Sequence, residues 1–245
     1  MEERKISAGS YDLNKFLYGG YEKDIITTVY GDAGTGKTNL CLLASVSQAK
    51  KGKKVLFIDT EGGFSAERAK QLSGKENYED ILKNIILFKP VNFEEQKKAF
   101  SSLLKEIKRK GDIGLIVVDG MAMLYRLELG DAIKTGEDEK IKNINRELAE
   151  QMRTLAEIAR TKEIPVIVTN QVYSEFLTRE DIEKGKEKEF KMVGGSILQY
   201  WSKCILELVN NRGRRKLILR KHRSLKEKEI SFEIINSGIR RRGWI

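Results

Sequence analysis

The chain has 245 residues, 40% hydrophobic and 33% charged, so it can bury one sizeable core and is predicted to form a single domain over residues 1–245. It has only 2 Pro and no linker-like tract, which also favours a single domain. It has no apolar run of about 18 residues and no apolar signal segment, which argues against membrane-embedded and exported proteins and favours a cytoplasmic one. The 2 cysteines, Cys41 and Cys204, lie apart in apolar stretches, which predicts buried thiols rather than a disulfide or a metal site.

Most of the net charge of +10 lies near one end of the sequence. Residues 210–245 contain 12 Lys or Arg and 3 Asp or Glu, which gives this segment a net charge of +9 and leaves +1 for residues 1–209. A concentrated cationic surface favours a polyanionic partner such as a nucleic acid. The alternative is a solvated rim that acidic residues balance elsewhere in the fold.

Strand-like and helix-like segments alternate along the chain. Short apolar runs predict strands at 25–30, 54–59, 84–88, 113–119 and 165–170. Longer segments with apolar residues on one helical face predict helices at 36–51, 93–107 and 138–162. Beyond residue 200, three strand-like segments with short turns between them predict antiparallel strands. The predicted fold is therefore α/β, with a mostly parallel sheet flanked by helices and antiparallel strands added toward the C-terminus.

The stretch GDAGTGKT at 31–38, between the first strand and the first helix, has the G-x-x-x-x-G-K-T spacing of a phosphate-binding loop. In such a loop, successive backbone N–H groups and the start of the helix bind the phosphates of a nucleotide. The side chain of Lys37 is expected to reach the β- and γ-phosphates, and the hydroxyl of Thr38 to bind Mg²⁺. The residues predicted to bind the nucleotide here are Gly31, Asp32, Ala33, Gly34, Thr35, Gly36, Lys37, Thr38 and Asn39.

Three polar side chains follow strands and are expected at the same edge of the sheet, where open α/β sheets bind ligands. Asp119 ends the apolar strand LIVVD and is the second candidate Mg²⁺ residue, acting through metal-bound water. Glu61 follows FID, where a carboxylate could activate the attacking water, and Gln171 follows VIVTN, where an amide could sense the γ-phosphate. For Glu61 and Gln171 a turn or capping role is the alternative. Together with Lys37, they are the predicted catalytic residues.

The motifs GDAGTGKTN, VLFIDTEGGFSAER, LIVVDGMAMLYR and VIVTNQV, followed by a loop ending in VGGSIL, resemble in this order the core of the RecA-like recombinases. The resemblance covers essentially the whole chain and implies ATP and Mg²⁺ as cofactors. It implies that Glu61 is the catalytic glutamate, that Arg68 stacks on the adenine, and that Gln171 couples the γ-phosphate to a DNA-binding loop. It also implies that 127–138 and 172–193 correspond to the two DNA-binding loops of the family.

The sequence departs from the family pattern at three places. The core begins almost at residue 1, so no separate N-terminal DNA-binding domain and no linker for docking a neighbouring subunit are expected. The segment 172–193 has 5 Lys or Arg and 6 Asp or Glu, a net charge of −1, whereas a loop that follows a phosphate backbone should be cationic. Gly120 follows Asp119, where the family more often has Ser. Within the family, the chain is most similar to a short paralogue that is nearly core-only.

The segment RRKLILRKHRSLK at 214–226 is the candidate DNA surface. Strand alternation predicts one face with Lys216, Ile218, Arg220 and His222, and another with Leu217, Leu219, Lys221 and Arg223. Such a basic cluster would bind phosphates without reading base sequence. The resemblance implies a second role as the alternative, because in filament-forming relatives residues near here approach the ATP of the neighbouring subunit. The predicted DNA-binding residues are Arg214, Arg215, Lys216, Arg220, Lys221, His222 and Arg223.

These features together predict an ATP-binding and DNA-binding accessory protein of homologous recombination and repair, located with the nucleoid, whose ATP hydrolysis is slow. The resemblance implies binding to single-stranded or branched DNA without sequence preference, help to the main recombinase or to a junction-processing nuclease, and compatibility with a homo-oligomer. The alternatives are a DNA-stimulated ATPase that carries out strand exchange and a hexameric ATPase of the clock or helicase type.

Overall fold

The computed structural model describes residues 4–74, 77–109, 111–174 and 190–243. Its strands are β1 (Lys5–Ile6), β2 (Tyr21–Glu22), β3 (Ile26–Gly31), β4 (Lys54–Asp59), β5 (Ile85–Phe88), β6 (Ile113–Asp119), β7 (Val166–Asn170), β8 (Val172–Ser174), β9 (Phe190–Met192), β10 (Ser202–Asn211), β11 (Arg214–His222), β12 (Lys228–Ile235) and β13 (Gly238–Arg241). Its helices are α1 (Tyr11–Phe16), α2 (Lys37–Ala49), α3 (Ala66–Ser73), α4 (Tyr78–Lys83), α5 (Phe93–Lys108), α6 (Met123–Thr135), α7 (Asp138–Lys162) and α8 (Gly195–Trp201). Within these ranges, no helix is both long and apolar enough to cross a lipid bilayer.

Nine of these strands form one sheet in the spatial order β13-β12-β11-β10-β3-β7-β6-β4-β5. The pairings from β10 to β5 are parallel, and those from β13 to β10 are antiparallel. The predicted α/β fold, with antiparallel strands toward the C-terminus, is thus confirmed. The five predicted parallel strands agree with the observed ones to within one residue at either end, and the predicted helix at 138–162 matches α7 at both ends.

The central strands read as unbroken apolar runs because helices cover both faces of the sheet. Residues 115–118 of β6 and 55–58 of β4 are all 0% exposed. One apolar cluster lies between the sheet and α2, α3 and α4, and a second lies between the opposite face and α5, α6 and α7. Cys41 and Cys204 are buried in the first cluster as free thiols, as predicted.

The parallel strands bring several predicted site residues to one edge of the sheet. Strands β3, β4, β6 and β7 end at Gly31, Asp59, Asp119 and Asn170. Asp59 and Asp119 lie directly opposite each other in the register of β4 and β6. Because parallel strands share a direction, these four ends, and the loops that follow them, meet at the carboxyl edge.

The segment 127–138, expected from the resemblance to be a loop, is mostly helical. Helix α6 continues through it to Thr135 and ends at Gly136, whose φ of +70° is left-handed, and α7 begins two residues later. The helix is stabilised by burial of one face, which contains Leu124, Tyr125 and Ala132. Most of the segment is therefore the second half of α6 rather than a loop, and its correspondence to a DNA-binding loop stays a prediction.

Candidate functional site

The phosphate-binding motif forms the turn between β3 and α2. A Cβ on Gly31 would lie 2.2 Å from the carbonyl oxygen of Leu208 on the neighbouring strand. Gly36 precedes α2 with a φ of +109°, and a Cβ there would lie 2.9 Å from Cδ1 of Ile234. Gly31 needs glycine because the backbone of β10 packs directly against it, and Gly36 needs glycine because its φ is left-handed. The result is a loop lined by backbone at the start of a helix, the arrangement that binds phosphate.

Lys37 is the first residue of α2, and its side chain folds back over the loop. Its Nζ donates hydrogen bonds to the carbonyl oxygens of Gly31 at 2.8 Å and Asp32 at 2.9 Å. The residue is only 6% exposed. Burial lowers the pKa of Lys37, and the nearby carboxylates of Glu61, Asp119 and Asp32 oppose that change. The loop therefore holds a largely desolvated positive charge next to its backbone amides.

Asp119 is buried at the end of β6 and is 1% exposed. Its Oδ1 accepts a hydrogen bond from the hydroxyl of Thr169 at 2.5 Å, whereas Oδ2 makes no hydrogen bond of normal geometry with any residue that the structure describes. Oδ2 of Asp119 and the hydroxyl of Thr38 both lie close to Gly63. A Cβ added to Gly63 would be 3.5 Å from Oδ2 and 3.0 Å from Thr38 Oγ1. Burial raises the pKa of Asp119, and the nearby hydroxyls of Thr169 and Thr38 oppose that rise.

These oxygens fit a magnesium ion that arrives with a nucleotide. Among the described residues, no cluster of three or more His, Cys, Asp or Glu could hold a metal by itself. Mg²⁺ does not need such a cluster, because it is commonly held by one or two protein oxygens together with phosphate oxygens and water. A buried carboxylate oxygen without a partner is costly, and a cation beside Thr38 would offset that cost.

Gly120, where the chain departs from the family pattern, is required by close packing at the end of β6. Its φ is +92°, and a Cβ there would lie 2.3 Å from the hydroxyl oxygen of Thr60. That hydroxyl donates to the carbonyl oxygens of Asp119 at 3.0 Å and Gly120 at 2.8 Å. A serine at this position would displace Thr60. The carboxylate of Asp119 receives its hydroxyl donor from Thr169 on β7 instead.

Glu61 and Gln171, predicted from separate strands, contact each other. Nε2 of Gln171 donates to Oε2 of Glu61 at 2.9 Å, and Oε1 of Glu61 is buried with no hydrogen-bond partner among the residues described. Asp59, which we did not predict, shapes the turn that carries Glu61, because its carboxylate accepts hydrogen bonds from the N–H groups of Gly63 and Phe64, each at 3.0 Å. An aspartate ending an apolar strand, two residues before Glu61, is the sequence feature that could have identified it.

Arg68 is fixed in orientation beside the phosphate-binding loop. Its Nε donates to Oδ1 of Asn39 in the first turn of α2 at 2.8 Å. Its terminal nitrogens donate to the carbonyl oxygens of Ile235 at 2.8 Å and Asn236 at 3.0 Å, where β12 turns into β13. Burial lowers the pKa of Arg68. The guanidinium plane is thus held by three elements next to the nucleotide site, and its stacking on adenine stays a prediction.

Several of the predicted DNA-binding cations are ion-paired. With their nitrogen–oxygen distances, the pairs are Arg220–Glu207 (2.6 Å), Arg220–Glu227 (2.5 Å), Arg223–Asp24 (2.7 Å), Arg223–Glu22 (2.7 Å) and Lys216–Glu229 (2.8 Å). Lys221 differs, because its Nζ donates to the backbone carbonyl oxygen of Gln199 at 2.8 Å. Acidic residues therefore balance part of this cationic surface, as the alternative interpretation of the sequence held. A phosphate would have to compete with these carboxylates for the cations.

A register shift in β11 changes which side chains share a face. Leu219 lies opposite Leu206 and Lys221 lies opposite Ile205, so Arg220 is an extra residue in β11. The expectation of strict alternation along this segment is therefore wrong beyond Leu219. As a result, Arg220 and Lys221 face the same way and line one cleft of about 900 Å³.

His222 is set apart from the neighbouring cations by burial. Its side chain is 3% exposed, and its Nδ1 accepts hydrogen bonds from the N–H groups of Ser224 at 3.1 Å and Leu225 at 3.2 Å. Burial lowers the pKa of His222, so the ring is neutral at pH 7. The predicted contact of His222 with DNA does not fit this burial, because the ring stabilises the turn after β11 instead.

Residues 175–189, most of the segment expected to be the second DNA-binding loop, lie outside the described residues. The two ends of the segment pair with each other as the antiparallel strands β8 and β9. Nδ2 of Asn170 donates to the carbonyl oxygen of Val193 at 2.5 Å, which closes the base of the segment. Gln171 lies between Asn170 and β8, so the base of the segment is connected through one side chain to Glu61.

Comparison with known proteins places relatives across nearly the full length of the chain. The Rad51 family model matches residues 2–242. The DNA repair and recombination protein RadB of Methanococcus maripaludis strain C7 is 44% identical over 228 residues, covering 93% of this chain and 96% of that protein. The protein of the same name from Methanocaldococcus jannaschii is 42% identical over 229 residues, covering 93% of this chain and 98% of that protein. The one from Methanobrevibacter smithii is 39% identical over 242 residues, covering 97% of this chain and 96% of that protein.

Proposed function

This chain belongs to the Rad51 family of RecA-like proteins, as its motifs predicted, and from this premise we propose that it is an ATP-binding and DNA-binding accessory protein of recombination and repair. Membership of this family implies use of a nucleotide and Mg²⁺, binding to DNA and compatibility with oligomerisation. The relatives described above are named as DNA repair and recombination proteins. In the proposed function, ATP binding acts as a conformational switch and its hydrolysis is slow.

The observation that carries the nucleotide part of the proposal is the set of unsatisfied groups around Asp119. Oδ2 of Asp119 and Oε1 of Glu61 are both buried without a hydrogen-bond partner among the described residues. The charge of Lys37 is buried beside them, next to a glycine-rich loop at a helix start. Unsatisfied buried groups are destabilising, so this arrangement favours a ligand that supplies both a cation and an anion. A magnesium–nucleotide complex has this chemistry.

The proposed switch uses the hydrogen bond between Glu61 and Gln171. Glu61 follows β4, whereas Gln171 directly precedes β8 at the base of the segment expected to contact DNA. The side-chain bond of 2.9 Å is therefore one direct connection between the predicted catalytic carboxylate and that segment. A change in the hydrogen bonding of Glu61 would release or retain Gln171, which gives a two-state element of the kind that a ligand can bias.

The DNA part of the proposal rests on charge. Arg220 and Lys221 lie at the end of β11 and line the same cleft, and Arg223 follows just past the strand, all within the segment of net charge +9. Cations at such a surface bind phosphates without base specificity. Single-stranded or branched DNA is the proposed ligand, and the proposed protein partner is the main recombinase or a junction nuclease. Co-purification from native cells with and without nuclease treatment tests whether that partner is held directly or through DNA.

Glu61→Gln is expected to leave ATP affinity within about threefold of wild type and to reduce ATP hydrolysis at least about tenfold, since an amide cannot take a proton from water. Affinity is measured by calorimetry and hydrolysis by single-turnover phosphate release. Glu67→Gln is the matched control, because Glu67 lies exposed in the first turn of α3. Turnover at the wild-type rate in Glu61→Gln would exclude Glu61 as the general base.

The isolated protein is expected to form no joint DNA molecules, and saturating single-stranded DNA is expected to change its ATPase rate by less than about twofold. The reason is electrostatic, because residues 172–193 have a net charge of −1 and would repel a phosphate backbone. Strand exchange and ATPase are assayed with a competent recombinase as positive control. Joint molecules formed with ATP and no helper protein, or strong stimulation by DNA, would instead favour the strand-exchange enzyme.

A further inference from the structure

Arg215 was predicted as part of the DNA-binding cluster, but its side chain points to the phosphate-binding loop. On β11 it lies opposite Asn210 of β10 and Phe232 of β12. Its Nη2 is 3.5 Å from the carbonyl oxygen of Gly34, in the middle of the loop. Its Nε is buried and has no hydrogen-bond partner in the part of the chain that the structure describes. The guanidinium is therefore held at the nucleotide site with donor capacity unused.

The strand explains why the side chain lies there. Leu217 and Leu219 are 0% exposed and belong to the apolar cluster that also contains residues of α2. Side chains on a strand alternate, so Arg215 is the next residue on the same face. The apolar row along β11 thus ends in an arginine beside the start of α2. The space above the loop is open, since a Cβ on Gly34 would have nothing within 4 Å.

The absence of an ion pair separates Arg215 from three neighbouring cations. Lys216, Arg220 and Arg223 each pair with a carboxylate. Within the described ranges, no Asp or Glu forms an ion pair with Arg215. A guanidinium has five N–H donors and binds carboxylate or phosphate through two of them at once. An arginine left without an acid, next to a phosphate-binding loop, is therefore suited to an anion that the loop itself binds.

We propose that Arg215 binds the phosphate groups of a nucleotide held by the phosphate-binding loop of the same chain. This inference rests on the proposed nucleotide binding and adds a residue that the loop motif does not contain. Binding would pair the free N–H groups of Arg215 with phosphate oxygens and would add a second positive charge to that of Lys37. The site would then favour ATP over ADP more than the loop alone does, because ATP carries more negative charge.

The test is ATP and ADP binding by calorimetry in Arg215→Gln, which keeps a polar side chain but removes the charge. We expect about tenfold weaker ATP binding at about 0.05 M salt, a smaller loss for ADP, and a loss for ATP that shrinks as salt rises to about 0.5 M. Arg215→Lys, which keeps the charge but not the paired donors, should lose less ATP affinity than Arg215→Gln does. The matched control is Arg160→Gln, at an exposed arginine in the last turn of α7, which should bind both nucleotides as wild type does.

Wild-type ATP affinity in Arg215→Gln at low salt would overturn the inference and leave Arg215 as a brace for the loop. A loss that does not depend on salt would overturn it in the same way, since a bracing role is not screened. If Arg215→Gln does not fold, ATP protection of Arg215 in the wild type from an arginine-selective dicarbonyl decides the question. Protection supports the inference, and equal modification with and without ATP overturns it. Failure of the wild-type chain to bind ATP would instead overturn the proposed function.

Discussion

Lys37→Ala is expected to weaken Mg²⁺–ATP binding by at least about a hundredfold, and Asp119→Asn by about tenfold or more. A charge-assisted hydrogen bond contributes about 1.5–3 kcal/mol, and each 1.4 kcal/mol is a factor of ten in affinity. Lys37 would lose its charge together with the donors that now bond the carbonyl oxygens of Gly31 and Asp32. Asp119→Asn keeps the shape of the side chain but removes the buried negative charge beside Thr38. Calorimetry with ATP in the presence and absence of Mg²⁺ measures both effects.

The fold should survive the loss of Lys37. Burial lowers the pKa of Lys37, so the folded chain holds that proton less tightly than the unfolded chain, and the charged side chain reduces the free energy of unfolding at pH 7. Lys37→Ala should therefore melt at the wild-type temperature or above it without nucleotide, and should lose the rise in melting temperature that ATP gives to the wild type. Lys51→Ala, at an exposed lysine just past the other end of the same helix, is the matched control. Unchanged ATP affinity in both Lys37→Ala and Asp119→Asn would show that this loop does not bind the nucleotide.

The sheet could be predicted from the sequence because its central strands are buried on both faces. A strand such as 113–119 must then be an unbroken apolar run, and an amphipathic helix such as 138–162 must repeat its apolar residues every three or four positions. Both patterns are local, so one sequence is sufficient to read them. The same reasoning located Asp119 and Glu61, since a polar residue directly after a buried strand lies at the carboxyl edge.

Features that depend on partners distant in sequence could not be predicted. The bond between Glu61 and Gln171 joins residues 110 positions apart and depends on the order of strands in the sheet. The extra residue in β11 depends on how β10 pairs with it, and it alone places Arg220 and Lys221 on one face. The direction of Arg215 toward the loop depends on β11 lying next to β10, which in turn lies next to β3. The basic segment 214–226 therefore contains one residue that faces the nucleotide site, Arg215, and two that face a separate cleft, Arg220 and Lys221.

Combined replacement of Arg220, Lys221 and Arg223 by alanine is expected to weaken DNA binding about tenfold or more at moderate salt. Loss of three phosphate contacts should also flatten the slope of log K against log salt by about 2–3 units. Sequence preference should not change, because phosphate contacts carry no base information. The measurement is a salt titration with fluorescently labelled DNA. A triple variant with the wild-type slope would place the DNA surface elsewhere, on the segments 127–138 and 172–193.

Folding of the triple variant has to be checked because Arg223 also stabilises a buried acid. Nε of Arg223 lies 2.7 Å from Glu22, whose side chain is only 8% exposed. Removing one partner of a fully buried pair costs about 3–5 kcal/mol, and since Arg223 is 41% exposed we expect about 1–3 kcal/mol here. Arg220→Ala with Lys221→Ala leaves Glu22 paired and is the variant of choice if the triple variant melts early. Its slope should flatten by about 1–2 units.

Asp24→Asn provides the opposite test, because it should tighten DNA binding. Asp24 accepts two hydrogen bonds of 2.7 Å from Arg223, so a phosphate must displace it. The amide would leave Arg223 paired with one acid, Glu22, in place of two. We expect about two- to fivefold tighter binding at low salt with a slope steeper by up to about one unit. Asp112→Asn, which removes an exposed acid paired with Lys53, is the matched control and should bind DNA as wild type does.

Lys37→Ala should keep much of its DNA affinity, since the two sites use different residues. If Lys37→Ala loses DNA binding while Asp24→Asn leaves it unchanged, ATP must organise the DNA surface, and the strand-exchange enzyme becomes the better interpretation.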